Sequence, residues 1–197
     1  MTELRLLVLS GFLGAGKTTL LLAMVGRLRA RPLRMVIIEN EVGEVGIDGQ
    51  YLQREGLEVR ELYAGCVCCT LAADLVVTLG KVRDAFSPDL VMVEATGIAL
   101  PGDIVRTVRR WTDGGDVRVL TVVDAPRYAL LREAVGPLVT AQIEAADVVA
   151  VNKIDEVDPA AVDRVVDEVA SLNANAVVVP VSAEKGLHLD LLLEALA

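Results

Sequence analysis

The sequence predicts a three-layer α/β fold in which a mainly parallel central sheet is flanked by helices. Short apolar strands alternate with helical stretches along the whole chain, as in successive βα units. Hydrophobic residues make up 53% of the 197 residues while aromatics make up only 3%. The core must therefore be filled by Leu, Val, Ile and Ala, which suits a sheet buried on both faces. Prolines fall where such elements begin or end.

Strands are expected at 4–9, 35–39, 57–62, 90–94, 117–123, 148–151 and 177–180, most of them β-branched runs bounded by turn residues or caps. Helices are expected at 18–29, 71–84, 103–111, 126–134, 137–146, 159–172 and 189–196. Pro32 and Pro88 punctuate helix ends, and Pro126, Pro137 and Pro159 fit helix starts. The chain shows no fixed repeat, low-complexity tract or Gly/Ser-rich linker, so one domain is expected over 1–197.

The formal charge of -9 opposes long-range attraction to nucleic acid or an anionic membrane, and neither is expected as a partner. The arginines at 27, 29, 31 and 34, and at 106, 109 and 110, read as solvated helix ends. His188 reads as a helix-end residue and Trp111 as a packing one. The apolar start lacks a basic region and a small-residue cleavage pattern, and Lys17 interrupts it before it could span a bilayer. A cytoplasmic protein is expected. All three cysteines lie in Cys66-Val67-Cys68-Cys69, poor material for a secreted disulfide framework.

Gly11-Phe12-Leu13-Gly14-Ala15-Gly16-Lys17-Thr18 fits G-x-x-x-x-G-K-[ST], after an expected strand and before an expected helix. Such a loop wraps backbone N–H groups and a helix N-terminus around phosphates. Gly11, Gly14, Ala15, Gly16, Lys17, Thr18 and Thr19 form the candidate phosphate site. Lys17 is expected on the β- and γ-phosphates and the Thr18 hydroxyl on Mg²⁺. The fold class becomes that of a P-loop NTPase.

Asn152-Lys153-Ile154-Asp155 follows an apolar strand, where a parallel sheet presents ligand loops. The Asp155 carboxylate can accept from guanine N1–H and N2–H₂, with Asn152 bracing the loop and the Lys153 stem covering the base. Ser182-Ala183 follows the last strand and would complete the pocket, the Ala183 N–H donating to guanine O6. Glu94-Ala95-Thr96-Gly97 ends a strand with an acid and a small-residue loop. Glu94 is expected to act on Mg²⁺ and the Gly97 N–H to register the γ-phosphate. Lys17, Thr18 and Glu94 are the candidate catalytic residues.

The acidic, Gly-punctuated stretch 39–48 reads as a loop that orders around Mg²⁺ or phosphate, binds a second cation, or stays solvated. Cys66, Cys68 and Cys69 supply three soft ligands without a fourth, which suits a metal that enters and leaves. A redox-active pair and burial as small hydrophobes are the competing uses.

Together, the Gly-Phe-Leu-Gly-Ala-Gly-Lys-Thr-Thr loop, Glu39-Asn40-Glu41-Val42-Gly43-Glu44, Gly65-Cys66-Val67-Cys68-Cys69-Thr70 and 152–155 resemble the CobW-like family of P-loop GTPases, related to the HypB and UreG metallochaperones. The resemblance implies a SIMIBI-class GTPase, a class that switches by nucleotide-dependent homodimerisation. It implies Zn, or another transition metal such as Co or Ni, at Cys66, Cys68 and Cys69, with Glu39 and Glu44 as switch-loop carboxylates near that metal or Mg²⁺. Larger members add a C-terminal domain, often His-rich, which is not expected within 1–197. Ala95 stands where relatives commonly carry Ser or Thr.

The resulting expectation is a metal-responsive GTPase that hydrolyses GTP to GDP and phosphate with Mg²⁺, serves metal handling or metallocofactor assembly, and has a client metalloenzyme as partner. No residue stands out as a catalytic base, so intrinsic turnover is expected to be slow. One alternative is a nucleotide-gated chaperone or activator of a cobalamin-dependent or other cofactor enzyme, its cysteines structural or redox-active. A thiol-based redox sensor on the same fold is the other.

Overall fold

The computed structural model describes residues 5–39, 58–61, 71–111 and 116–197. In chain order the elements are β1 (Arg5–Gly11), α1 (Lys17–Leu28), β2 (Met35–Glu39), β3 (Glu58–Glu61), α2 (Leu71–Phe86), β4 (Leu90–Glu94) and α3 (Pro101–Trp111). They continue with β5 (Val117–Asp124), α4 (Tyr128–Glu144), β6 (Val148–Asn152), a 3₁₀ turn (Ile154–Glu156), α5 (Pro159–Leu172), β7 (Val177–Pro180) and α6 (Leu189–Ala195). The seven strands form one sheet in the order β3-β2-β4-β1-β5-β6-β7. Every pairing between them is parallel.

Alternation along each strand decides the layers. Leu6 and Val8 of β1 join Val36, Ile38, Val91, Val93, Val149 and Val151 on one face, beneath α2, α3, α4 and α5. Leu7 and Leu9 join Ile37, Met92, Leu120, Val122 and Ala150 on the other, beneath α1 and α6. Both faces of the central strands β1, β2, β4 and β6 are buried, so these strands read as continuous aliphatic runs. Local signals also act where expected: Asp158 caps α5 by accepting from the Ala161 N–H at 2.9 Å, with Pro159 in the first turn.

The two helices expected at 126–134 and 137–146 are found end to end within α4, divided by a non-helical kink at Val135 (φ -139°, ψ 34°). Pro137 follows the kink and opens the second stretch, where its missing N–H costs no helical hydrogen bond. Pro126 precedes the helix without entering it, because Arg127 occupies the N-cap.

β1 sits mid-sheet, flanked by β4 on one side and β5 on the other. The direction of winding reverses there, and the loop after such a strand opens into a crevice at the carboxyl edge. Gly11, Glu39, Glu94, Asp124 and Asn152 all end strands at that edge. Register sets Glu39 opposite Glu94, and Asp124 opposite Asn152.

The opposite edge is stapled by Arg34 and Asp89. Asp89 Oδ2 accepts from the Arg34 backbone N–H at 2.9 Å and Oδ1 from Nη2 at 3.1 Å. The Arg34 side chain, then its backbone N–H, holds the Asp89 carboxyl below its ordinary range. A depressed carboxylate contributes stability above the unfolded-state pKa and loses it as pH falls through the folded-state value. The urea midpoint of wild type should therefore exceed that of Asp89→Asn at neutral pH, and the gap should close as the carboxylate is titrated. A gap that persists unchanged in acid would remove the ion pair as its cause.

Candidate functional site

The crevice is built from four loops. The first leaves β1 and enters α1 through Gly16, whose left-handed conformation (φ 89°) leaves the helix without a side-chain cap. A Cβ at Gly16 would lie 2.5 Å from Asn152 Nδ2, so a side chain is excluded by both conformation and space. Gly16 gives the first turn of α1 no side-chain cap, and a helix N-terminus left so is suited to hold anions.

Lys17 is buried and donates from Nζ to Gly11 O at 3.0 Å and Phe12 O at 3.3 Å. Burial lowers its pKa from the ordinary lysine value, and the Glu94 carboxylate opposes that shift. The Thr18 hydroxyl donates to Glu94 Oε1 at 3.0 Å. Thr18 and Glu94 are 76 residues apart in the chain, and the structure brings their oxygens together. Gly14 and Thr19 are exposed and Ala15 is buried.

Beyond Glu94 the chain turns at Gly97 against the phosphate loop. A Cβ on Gly97 would meet the Leu13 backbone nitrogen at 2.6 Å, so only glycine permits the approach. Gln142 of α4, almost wholly buried, donates from Nε2 to Gly97 O at 3.2 Å and Ala99 O at 3.1 Å. This polar side chain in a largely apolar helix was not singled out in the sequence. Its partners lie more than forty residues upstream, beyond the reach of any local pattern.

The third and fourth loops follow β6 and β7. Asn152 joins them to the first: Nδ2 donates to Ala15 O at 2.9 Å, and Oδ1 accepts from the Ala183 N–H at 3.0 Å. The Ala183 N–H, expected to meet guanine O6, thus donates to Asn152 in this structure. Lys153, in the left-handed region (φ 65°), donates from Nζ to Gly14 O and to Asp124 Oδ2, each at 2.9 Å.

Asp155 is exposed, and the Ser182 hydroxyl beside it is the main cause that holds its carboxyl below the ordinary range. Ser182 is fully buried and pairs with Leu187 through reciprocal backbone bonds, closing the loop on itself.

Asp124 and Arg127 complete the cluster. Asp124 is buried at the end of β5 and accepts from Arg127 Nε at 2.8 Å, while Arg127 Nη2 reaches Leu13 O at 3.0 Å. The sequence did contain a signal for Asp124, an acid ending an apolar strand like Glu94, but it lacks the small-residue loop that distinguished Glu94.

The hard oxygens of Thr18 and Glu94 fit Mg²⁺ in chemistry and in mutual position. Among the described residues no group of three or more His, Cys, Asp or Glu is placed to hold a metal ion. Cys66, Cys68, Cys69 and Glu44 lie outside the described residues, and Glu39 is described only in its backbone. Nor is any described helix long and apolar enough to cross a membrane.

The parallel sheet with its switch point at β1, the phosphate loop entering α1, and the carboxylate beside Thr18 define a P-loop nucleotide-binding domain. The family model for the CobW/HypB/UreG nucleotide-binding domain matches residues 5–180, and the chain belongs to that family. It is 32% identical over 196 residues to the zinc chaperone CobW of Sinorhizobium sp, covering 83% of this chain and 54% of that protein. The chain spans about half to three-fifths of the length of the first curated relatives it matches.

Among solved structures, the hydrogenase maturation factor HypB from Archaeoglobus fulgidus superposes with a TM-score of 0.71 at 17% identity, over 98% of this chain and 90% of that one. Zn(II)-bound YjiA GTPase from E. coli superposes with a TM-score of 0.64 at 24% identity, over 91% and 57%. At these identities the two structures show a shared P-loop GTPase fold.

Asn152→Ala would orphan the Ala183 N–H and release Ala15 O, and should lower stability by about 1–3 kcal/mol. Urea unfolding of the nucleotide-free protein checks this. An unchanged midpoint would show that the loops hold their places without the carboxamide.

Proposed function

We propose that the chain is a metal-responsive GTPase domain that binds GTP with Mg²⁺, hydrolyses it slowly, and couples its nucleotide state to a transition-metal cargo at Cys66, Cys68 and Cys69. The observation that carries the nucleotide half of this reading is the Asn152 carboxamide, which joins the phosphate loop to both base-side loops. One ligand spanning a triphosphate and a purine fits such a joined crevice.

Asp155, kept ionised by Ser182, offers an acceptor pair for guanine N1–H and N2–H₂. Lys17 holds a positive charge at the loop mouth, where phosphate oxygens compete with the Gly11 and Phe12 carbonyls for it. When bound between Thr18 and Glu94, Mg²⁺ supplies charge neutralisation for the phosphates. Leu13 and Ile98 expose apolar side chains on the rim where the Gly97 turn meets the phosphate loop, which suits docking of a second copy of the chain.

Relatives named zinc chaperone CobW and zinc-regulated GTPase metalloprotein activator support the metal half, with zinc the first cargo to test. A client metalloenzyme is the partner that such names suggest. Glu39 and Glu44 are proposed to close the cargo site or to contact Mg²⁺, and the backbone of Glu39 lies beside Glu94 as that role needs.

Asp155→Asn should weaken GTP binding and favour xanthosine triphosphate, whose 2-oxo group accepts from the new amide. Unchanged GTP affinity would defeat the guanine assignment. Coupling is tested by calorimetric titration of Zn²⁺ into reduced protein with GDP or with a non-hydrolysable GTP analogue. The analogue should raise metal affinity, and metal should raise analogue affinity by the same factor, typically about 5 to 150-fold for coupled sites. Replacing the three cysteines by serine should abolish the effect while leaving GDP binding intact. Equal metal affinities in the two nucleotide states would sink the coupling.

A further inference from the structure

We propose that Asp124 and Arg127 are positioning residues that preset the phosphate loop for its ligand, an inference that rests on the nucleotide-binding reading and deepens it. Neither lies in the segments 11–19, 94–97, 152–155 or 182–183 from which the nucleotide site was assembled.

Three consecutive carbonyls of the loop are each held by a different side chain. Leu13 O accepts from Arg127 Nη2 at 3.0 Å, Gly14 O from Lys153 Nζ at 2.9 Å, and Ala15 O from Asn152 Nδ2 at 2.9 Å. Every peptide bond among the described residues is trans, and in a trans peptide the carbonyl and the following N–H point in opposite directions. Fixing those three carbonyls therefore turns the N–H groups of Gly14, Ala15 and Gly16 away from the three side chains. The Ala15 N–H shows the outcome, since it meets Phe12 O at 3.2 Å within the loop. A glycine-rich loop free to rotate its peptide planes would have to order them on binding; this one has them ordered in advance.

Two of the three fixing groups depend on Asp124. Its side chain is inaccessible to solvent, and Oδ2 accepts from Arg127 Nε at 2.8 Å and Lys153 Nζ at 2.9 Å, while Oδ1 accepts from the Arg127 backbone N–H at 3.2 Å. The carboxylate thus holds both cations against the loop. Two cations on one carboxylate leave one positive charge in excess beside the phosphate site, so the cluster also favours an anionic ligand electrostatically. Asn152 does its share without Asp124, but register places the two residues opposite each other at the ends of β5 and β6. The clamp is thereby built on the sheet and not on the loop it orders.

The test compares Arg127→Gln, Arg127→Lys and Asp124→Asn with wild type for GDP and ADP affinity by calorimetry, and for the nucleotide-free urea midpoint. Arg127 is partly exposed, so its variants should fold even if the buried Asp124→Asn does not. Arg127→Gln should lower GDP affinity about ten-fold, the scale of one charge-assisted hydrogen bond, with little change in the urea midpoint. Arg127→Lys, which keeps the charge but not the fork that reaches Asp124 and Leu13 together, should fall between Gln and wild type.

Unchanged GDP affinity in Arg127→Gln would overturn the inference, as would a drop in midpoint with affinity retained, the mark of a purely structural residue. If wild type prefers ADP to GDP, the guanine assignment fails while the clamp is still measured on ADP. If wild type binds neither diphosphate, both fall.

Discussion

The carboxamide of Asn152 is the contact on which the rest of the site depends. It is nearly inaccessible to solvent, sits on the last residue of β6, and uses a donor and an acceptor at once on backbone groups of two other loops. No other residue type offers both functions at that length except glutamine, whose extra methylene would displace one loop or the other. Because the residue is anchored by the parallel ladder, the distance between phosphate loop and base-side loop is set by strand spacing. A ligand that spans the two meets a crevice whose width is a property of the sheet.

Around that fixed width, the loops differ in what holds them. The phosphate loop is tied from outside by Asn152 at the end of β6, Lys153 just after it and Arg127 at the start of α4, and from within by Lys17. The turn at Gly97 is held from behind by Gln142, whose own carbonyl accepts from the Thr121 hydroxyl at 2.8 Å. Gln142 lies beyond the break at Val135, so the portion of α4 that carries it is separated from the portion that starts at Arg127. The phosphate loop and the Gly97 turn thus lean on opposite halves of one interrupted helix, and they meet where Gly97 approaches Leu13.

How much of this was legible in the sequence follows from the range over which each signal acts. The central strands β1, β2, β4, β5 and β6 were locatable because burial on both faces forces largely aliphatic runs, a signal contained within a handful of residues. The phosphate loop was legible for the same reason: its glycines, Lys17 and Thr18 are contiguous. Asn152 and Asp155 could be marked, but not the identity of their partners.

Asp124, Arg127 and Gln142 escaped because what makes them matter is contact with residues up to 114 positions away. The division of α4 into two helical stretches was legible because Pro137 is a local signal, and the break falls at Val135 just before it. The cysteine segment was legible as chemistry, and its placement lies outside the described residues.

Charge poses the remaining question, since a chain with formal charge -9 is read here as holding a polyanion. The resolution lies in distance and dielectric. Many of the acidic residues lie exposed, Asp163, Asp167 and Glu168 of α5 among them. Salt screens exposed charges beyond about 8–10 Å at physiological ionic strength.

At the phosphate loop, by contrast, Lys17 is buried and Lys153 and Arg127 are partly shielded, so their fields are weakened less. Of the acids near them, Asp124 is matched by two cations, and Glu94 lies in the field of Lys17 and accepts from the Thr18 hydroxyl. A phosphate entering this crevice therefore meets nearby cations and oriented amides at short range and the net negative charge only at long range. An acidic surface and an anion site coexist because exposed charges are screened while the cations at the loop act at short range.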